Sequence, residues 1–334
     1  CIRDSDETEH IAEIRHADWK HVAVHIADIW DSVDIAFVEG LGAGVTRRLS
    51  GPVVEIPAWI KQRLKLEDTW PSQLAAMKRN VRQEISRSLR KYEYSCVATR
   101  SLTAFTEFYD ELYRPHVSRQ FGEAAIVVGK ERFVRECQRG VLLQLLQSND
   151  VVAGVVLRPV GNTLSIVWTG MKNADNDTRL PGASDALDYF SLLYAHLAGS
   201  KWLDFGPSRP DLTDGVLRYK RKWGCDLTAG YVPQARIRWS CRNESAAVRR
   251  FLQQKLFVTS GRRGLIATKL WFDELGCPAE IPRLEQYLCP GISTYRVIST
   301  SPLPQHWLNE LANCPQAIDV RRTDSVADAL AQMR

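Results

Sequence analysis

The chain has 334 residues and a mass of 37.9 kDa, the length of two ordinary domains or of one large one. Hydrophobic residues make up 45% and charged residues 25%, which excludes wholesale disorder. No uncharged run approaches the roughly 20 apolar residues that span a bilayer, and a net charge of +5 falls short of the excess that marks a nucleic-acid binder.

Charge is distributed in blocks. Residues 1–39 hold ten acids and three Lys/Arg, whereas residues 236–263 hold eight Lys/Arg and one acid. Residues 78–91 hold six Lys/Arg and one Glu, a pattern suited either to a phosphorylated ligand or to a solvated helix face. The first residues are acidic and polar, so the expectation is a cytoplasmic chain without a secretory signal. The eight cysteines stand at 1, 96, 137, 225, 241, 277, 289 and 314, with no C-x-x-C and no Cys/His cluster at zinc-ligand spacing. They read as reduced, mostly buried thiols, and no metal is expected.

In chain order, residues 11–30 are compatible with a helix. Residues 33–39 form a short β-like run that ends in Gly40-Leu41-Gly42-Ala43-Gly44. A dinucleotide loop would need G-x-G-x-x-G opening a helix. Val45 and the breaker Ser50-Gly51-Pro52 make this a turn between strands, with residues 53–56 as the second strand. Residues 71–92 predict one helix, with Leu74, Met77, Val81, Ile85, Leu89 and Tyr92 on one face. Residues 102–113 predict another, stopped by Pro115. Runs 141–147, 151–158 and 164–170 predict three consecutive strands, punctuated by Asn149-Asp150 and Gly161-Asn162. A helix over 182–199, strands over 201–206 and 231–240, a basic helix over 244–258 and a β–helix–β pattern over 294–320 complete the reading. The expected organisation is an N-terminal α/β half (1–140) with the basic helix, a catalytic half (141–240) and a C-terminal appendage (241–334).

The block 151–224 carries the chemistry. Two strands lead into a loop that closes with Arg179-Leu180-Pro181-Gly182-Ala183-Ser184 and opens a helix. Backbone N–H groups and the positive helix end converge at such a start and attract anions, and an arginine adds a bidentate contact. The plainer reading is that Pro181 and Gly182 only start the helix. This loop resembles the donor loop of the GNAT acyltransferase superfamily, Q/R-x-x-G-x-G/A, which grips the pyrophosphate of acyl-CoA. Ser184 stands where that loop has its last Gly or Ala.

Within the superfamily the chain is more similar to the FemAB-like branch. That branch has a basic helix of R-x-x-(I/L)-R-R type, a D-F-G strand and an F-K-x-x-(F/W)-G turn. Here these read Arg79-Asn80-Val81-Arg82-Gln83-Glu84-Ile85-Ser86-Arg87, Leu203-Asp204-Phe205-Gly206 and Tyr219-Lys220-Arg221-Lys222-Trp223-Gly224, in that order along the chain. The likeness covers roughly residues 52–235.

The resemblance implies an α/β (α+β) fold. Its sheet is mixed and mostly antiparallel, flanked by helices, in two GNAT-like halves plus the C-terminal appendage. The sheet splays between two strands to admit the acyl thioester, which an amine attacks directly in a ternary complex. On this likeness Arg179, Gly182, Ala183 and Ser184 hold the donor phosphates, and Arg79 and Arg82 hold the acceptor. Lys220 is the electrostatic stabiliser or a donor-phosphate contact. Asp204 and His116 are candidate proton acceptors for the amine, although Asp204 could instead only bind the next turn. No G-x-S-x-G, H-E-x-x-H or P-loop pattern offers a different chemistry.

The function expected is an N-acyltransferase using acyl-CoA as co-substrate and a small-molecule or peptide amine as acceptor. A FemAB-like transferase that takes its acyl group from charged tRNA is the second reading; the basic stretches favour it, and the lack of a heptad-patterned arm speaks against it. A non-catalytic scaffold that binds a nucleotide or RNA is the third.

Overall fold

The computed structural model describes residues 30, 32–40, 51–122, 127–172, 180–230, 235–272, 287–314 and 316–333. The predicted helix 11–30 thus lies outside the described residues except for Trp30, as do most of the glycine cluster and Arg179. The first elements are β1 (Ile35–Gly40), β2 (Val54–Pro57), β3 (Ile60–Lys65), α1 (Trp70–Ala76), α2 (Arg79–Lys91) and β4 (Ser95–Thr99). Helix α3 (Leu102–Glu107) continues through a π-helical segment (Phe108–Tyr113) into α4 (Arg114–Phe121), and α5 (Lys130–Cys137) follows. Then come β5 (Val141–Gln147), β6 (Asp150–Val160), β7 (Thr163–Met171), α6 (Ala183–Leu197), β8 (Trp202–Ser208), α7 (Gly215–Arg221), β9 (Asp226–Thr228) and β10 (Arg236–Cys241). The last are α8 (Ala246–Gln254), β11 (Leu256–Gly261), β12 (Gly264–Trp271), β13 (Ile292–Ser299), α9 (Gln305–Ala312), β14 (Ala317–Arg322) and α10 (Val326–Ala331).

The chain divides into two compact units that are interleaved in sequence. One comprises Arg63–Gly206 and Lys222–Cys225; the other comprises residues up to Gln62, Pro207–Arg221 and Asp226–Arg334. These units do not follow the expected boundaries at 140 and 240.

In the first unit the strand order is β4-β5-β6-β7-β8-β3. Strands β4 to β7 form an antiparallel meander, and β7 and β8 are parallel. Both faces of the sheet are covered, which is why β5 and β6 read as nearly continuous apolar runs. On one face Leu143, Leu145, Val155 and Leu157 share a core with Val81 and Ile85 of α2 and Ala186 and Leu187 of α6. On the other, Leu142 and Val156 share a core with Phe105, Phe108, Tyr113 and Phe133. Burying each such side chain contributes about 1.5–3 kcal/mol.

Two helix expectations need correction here. Residues 70–91 form two helices, not one: Met77 and Lys78 take ψ values of 144° and 136°. No breaker stands at this point; the interruption serves packing, for it seats Met77 in the same core as Val81 and Ile85. Pro115 does not stop the second helix. It occupies the first turn of α4, where a missing N–H is tolerated. The π-helical segment before it, in which Arg114 N–H bonds to Tyr109 O, has already shifted the hydrogen-bond ladder. A Cβ at Gly170 would lie 2.6 Å from Tyr113 N, so the glycine lets this helix approach the backbone of β7.

The second unit holds an antiparallel sheet, β1-β10-β2, and a four-stranded sheet, β11-β12-β13-β14. In the latter β11 and β12 form a hairpin, whereas β12, β13 and β14 run parallel. The predicted β–helix–β pattern is β13, α9 and β14. The predicted helix 244–258 ends at Gln254, because Phe257, Val258 and Thr259 favour the pleated conformation and pair with β12. On β12, Lys269 donates to the carbonyl of Gln253, and burial lowers its pKa to about 8. In β3 the inward row Ile60, Gln62, Leu64 contains one fully buried amide, that of Gln62. Among the described residues no helix is long and apolar enough to cross a membrane.

Candidate active site

Strands β7 and β8 pair over three positions only: Thr163 with Trp202, Leu164 with Leu203, and Ser165 with Asp204. Beyond Ser165, β7 continues six residues to Met171 with no pairing to β8. On its other side β7 stays paired with β6, but the register moves from Leu157 opposite Ile166 to Val156 opposite Trp168. Val167 is therefore a β-bulge, a feature that re-aims backbone groups and side chains locally. The bulge thus sits two residues beyond Ser165, the last position at which β7 pairs with β8.

The start of α6 lies at the far end of the same strand. The Ser184 hydroxyl meets the sulfur of Met171 at 3.7 Å. Gly182 is the N-cap residue, with φ +74°, and no side chain caps the helix. Its Cβ would meet Ser88 Oγ at 2.5 Å, so this glycine is required by the contact with α2 and by the backbone conformation. The N–H of Ala183 is engaged by Leu180 O at 3.2 Å, and Ala183 is fully buried. Tyr94, whose pKa burial raises, donates to Pro181 O at 3.2 Å and pins the turn.

Asp185 occupies the first turn of α6, where a negative charge offsets the positive helix end. Lys222 Nζ donates to Asp185 Oδ1 at 2.5 Å, with the two side chains 26% and 11% exposed. Sequence reasoning missed this pair. The signal was present in the charged run before the buried Trp223, and in an acid three residues after Gly182. The likeness of motifs drew attention to Lys220 instead.

The remaining expected residues are distributed as follows. Asp204 is buried like Leu203 and Phe205 on either side, and its Oδ1 accepts from Gly206 N–H at 2.9 Å. It is thus as buried as its apolar neighbours, and it binds the next turn. His116 is half-buried on α4, which packs against β7. Arg79 is exposed and Arg82 half-buried on α2, the helix whose Ser88 touches Gly182. Lys220 belongs to the second unit, where its Nζ donates to Pro207 O at 2.9 Å. Cysteines 96, 137, 225, 241, 289 and 314 are unbridged, and burial pushes those at 96, 137 and 241 up to about 12. Among the described residues no group of three or more His, Cys, Asp or Glu side chains could hold a metal.

No protein-family model matches the chain, and no curated protein matches it. Solved structures do. L-PGS from Bacillus licheniformis is 13% identical, with 69% of this chain and 74% of that chain covered at a TM-score of 0.39. FemX is 13% identical over 66% and 78%, at 0.38. A GCN5-related N-acetyltransferase from Sphaerobacter thermophilus is 15% identical over 64% and 63%, at 0.33.

Proposed function

We propose that the protein is an N-acyltransferase that moves an acyl group from acyl-CoA to an amine by direct attack in a ternary complex. The observation that carries this is the parting of β7 and β8 after Ser165 and Asp204, with the bulge at Val167 beside it. An acyl thioester in the gap would meet preorganised backbone donors for its carbonyl oxygen, where negative charge develops during attack. Met171 is four residues further along β7, about 13 Å at strand rise. A long donor could thus reach from the bulge to the start of α6. There the N–H groups of α6, with Arg179, would take its phosphates. His116 accepts the amine's proton, with the buried Asp204, whose Oδ1 already takes the Gly206 N–H, as the alternative acceptor. Arg79 and Arg82 bind the acceptor. Lys220 stabilises the developing charge, the role its motif implies.

A second reading has an observation of its own. Asp185 already places a carboxylate at the helix end that a pyrophosphate would need, and α2 presents Arg79, Arg87, Arg90 and Lys91 to solvent. Both features suit a donor such as charged tRNA, held by its backbone elsewhere on the protein.

The test is release of CoA thiol from a panel of acyl-CoA esters in the presence of amines, with mass spectrometry of the amide. Amide formation dependent on both substrates supports the first reading. No thiol release, together with amine-dependent transfer from charged tRNA, supports the second and refutes the first.

A further inference from the structure

Gln62 is the polar interruption in the inward row of β3, and it is fully buried. A buried primary amide left unpaired is destabilising, because it has given up its water and found no partner in exchange, so its partners matter. Here both ends are engaged. Gln62 Oε1 accepts from Ser208 Oγ at 2.6 Å, and Gln62 Nε2 donates to Leu217 O at 3.1 Å. Ser208 adjoins Pro207, whose carbonyl receives the Lys220 ammonium at 2.9 Å. Leu217 lies on α7, the two-turn helix that carries Lys220. One amide therefore ties down both the carbonyl on which the ammonium rests and the helix from which its side chain springs. The rest of α7 is anchored independently, by Asp214 Oδ1 accepting from Leu217 N–H at 2.8 Å and by Arg221 Nη2 donating to Leu288 O at 2.8 Å.

We propose that Gln62, acting through Ser208 and Leu217, is a positioning residue for Lys220. The proposal rests on the acyl-transfer reading, in which Lys220 stabilises charge. A displacement of about 1 Å at a catalytic group can cost 10²-fold in rate. Loss of the amide should therefore act on turnover rather than on acceptor binding.

The test compares Gln62→Met, similar in volume, and Ser208→Ala, alone and combined with Lys220→Ala. The expected result is a 10- to 100-fold fall in kcat for Gln62→Met, with acceptor KM within about threefold of wild type. In the Lys220→Ala background the same substitution should change kcat less than twofold, since the group it positions is gone. Ser208→Ala should follow in the same direction, and it serves alone if Gln62→Met fails to fold. Lys220 should also change its rate of modification by an amine-directed reagent at least threefold relative to the other lysines in Gln62→Met or Ser208→Ala, a readout that needs no turnover. The proposal is overturned if kcat and Lys220 labelling are both unchanged while Lys220→Ala loses 100-fold. It is overturned equally if the Gln62→Met loss persists undiminished without Lys220. If Lys220→Ala itself turns over like wild type, the role given to Lys220 fails instead, and the positioning role with it.

Discussion

Lys269 makes the stability of the second unit depend on pH in a direction that can be worked out beforehand. Burial lowers its pKa from 10.5 to about 8; Lys255 lowers it further, and Asp211 opposes both. Above pH 10.5 the amine is neutral whether the chain is folded or not. Below pH 8 it is charged in both states, and folding then bears the full cost of burying the charge, about 3 kcal/mol. Between these limits the unfolded chain binds more protons, so stability rises with pH. Integration gives a gain of about 1.3 kcal/mol from pH 7 to pH 9. The buried thiols act the other way above pH 9, because the unfolded chain ionises cysteines that the folded chain keeps protonated. Comparison with Lys269→Met cancels that contribution. The loss of a donor to Gln253 O adds the same amount to the difference at every pH and so drops out of its change with pH. Urea unfolding of the two proteins at pH 7, 8 and 9, followed by tryptophan fluorescence, should show the advantage of Lys269→Met shrinking by about 1.3 kcal/mol. A difference that stays constant across this range would refute the reasoning.

Gly182→Ala should cost about 1–3 kcal/mol, since it adds a Cβ 2.5 Å from Ser88 Oγ to a residue at φ +74°. Ser88→Gly should restore the steric part and leave the backbone part, as read from thermal unfolding. Lys222→Met should leave the Asp185 carboxylate with little solvent and no ammonium, at a cost of about 1–3 kcal/mol once partial exposure is allowed for. Adding Asp185→Asn should recover more than half of that loss, and Asp185→Asn alone should tighten binding of inorganic pyrophosphate, measured by calorimetry.

The meander β5-β6-β7 was legible because its apolar runs are bounded by Asn149-Asp150 and Gly161-Asn162, which allow only short turns. Helix α6 was legible from its glycine start and apolar face. What escaped depends on neighbours distant in sequence. The break at Met77 has no local breaker and follows from the core that receives its side chain. Continuation through Pro115 depends on a π-helical segment that composition does not mark. The bulge at Val167 is a matter of register between two strands, and no residue type announces it. In the candidate site, the run Lys220-Arg221-Lys222 gave three adjacent cations. Only the end of α7 at Arg221 separates the lysine that rests on Pro207 from the one that reaches Asp185.

Strand β10 lies between β1 and β2 and is the partner of both. During synthesis the two early strands leave the ribosome long before it: from Pro57 to Arg236 the interval is about 180 residues, or roughly 10–35 s of translation. Over that interval β1 and β2 have no strand to close the sheet, while the whole meander of the first unit can emerge and fold. The order of events is thus written into the connectivity, with the earliest strands among the last to be paired. A chain truncated before residue 236 would present both strands with open edges, the condition that favours pairing with other chains.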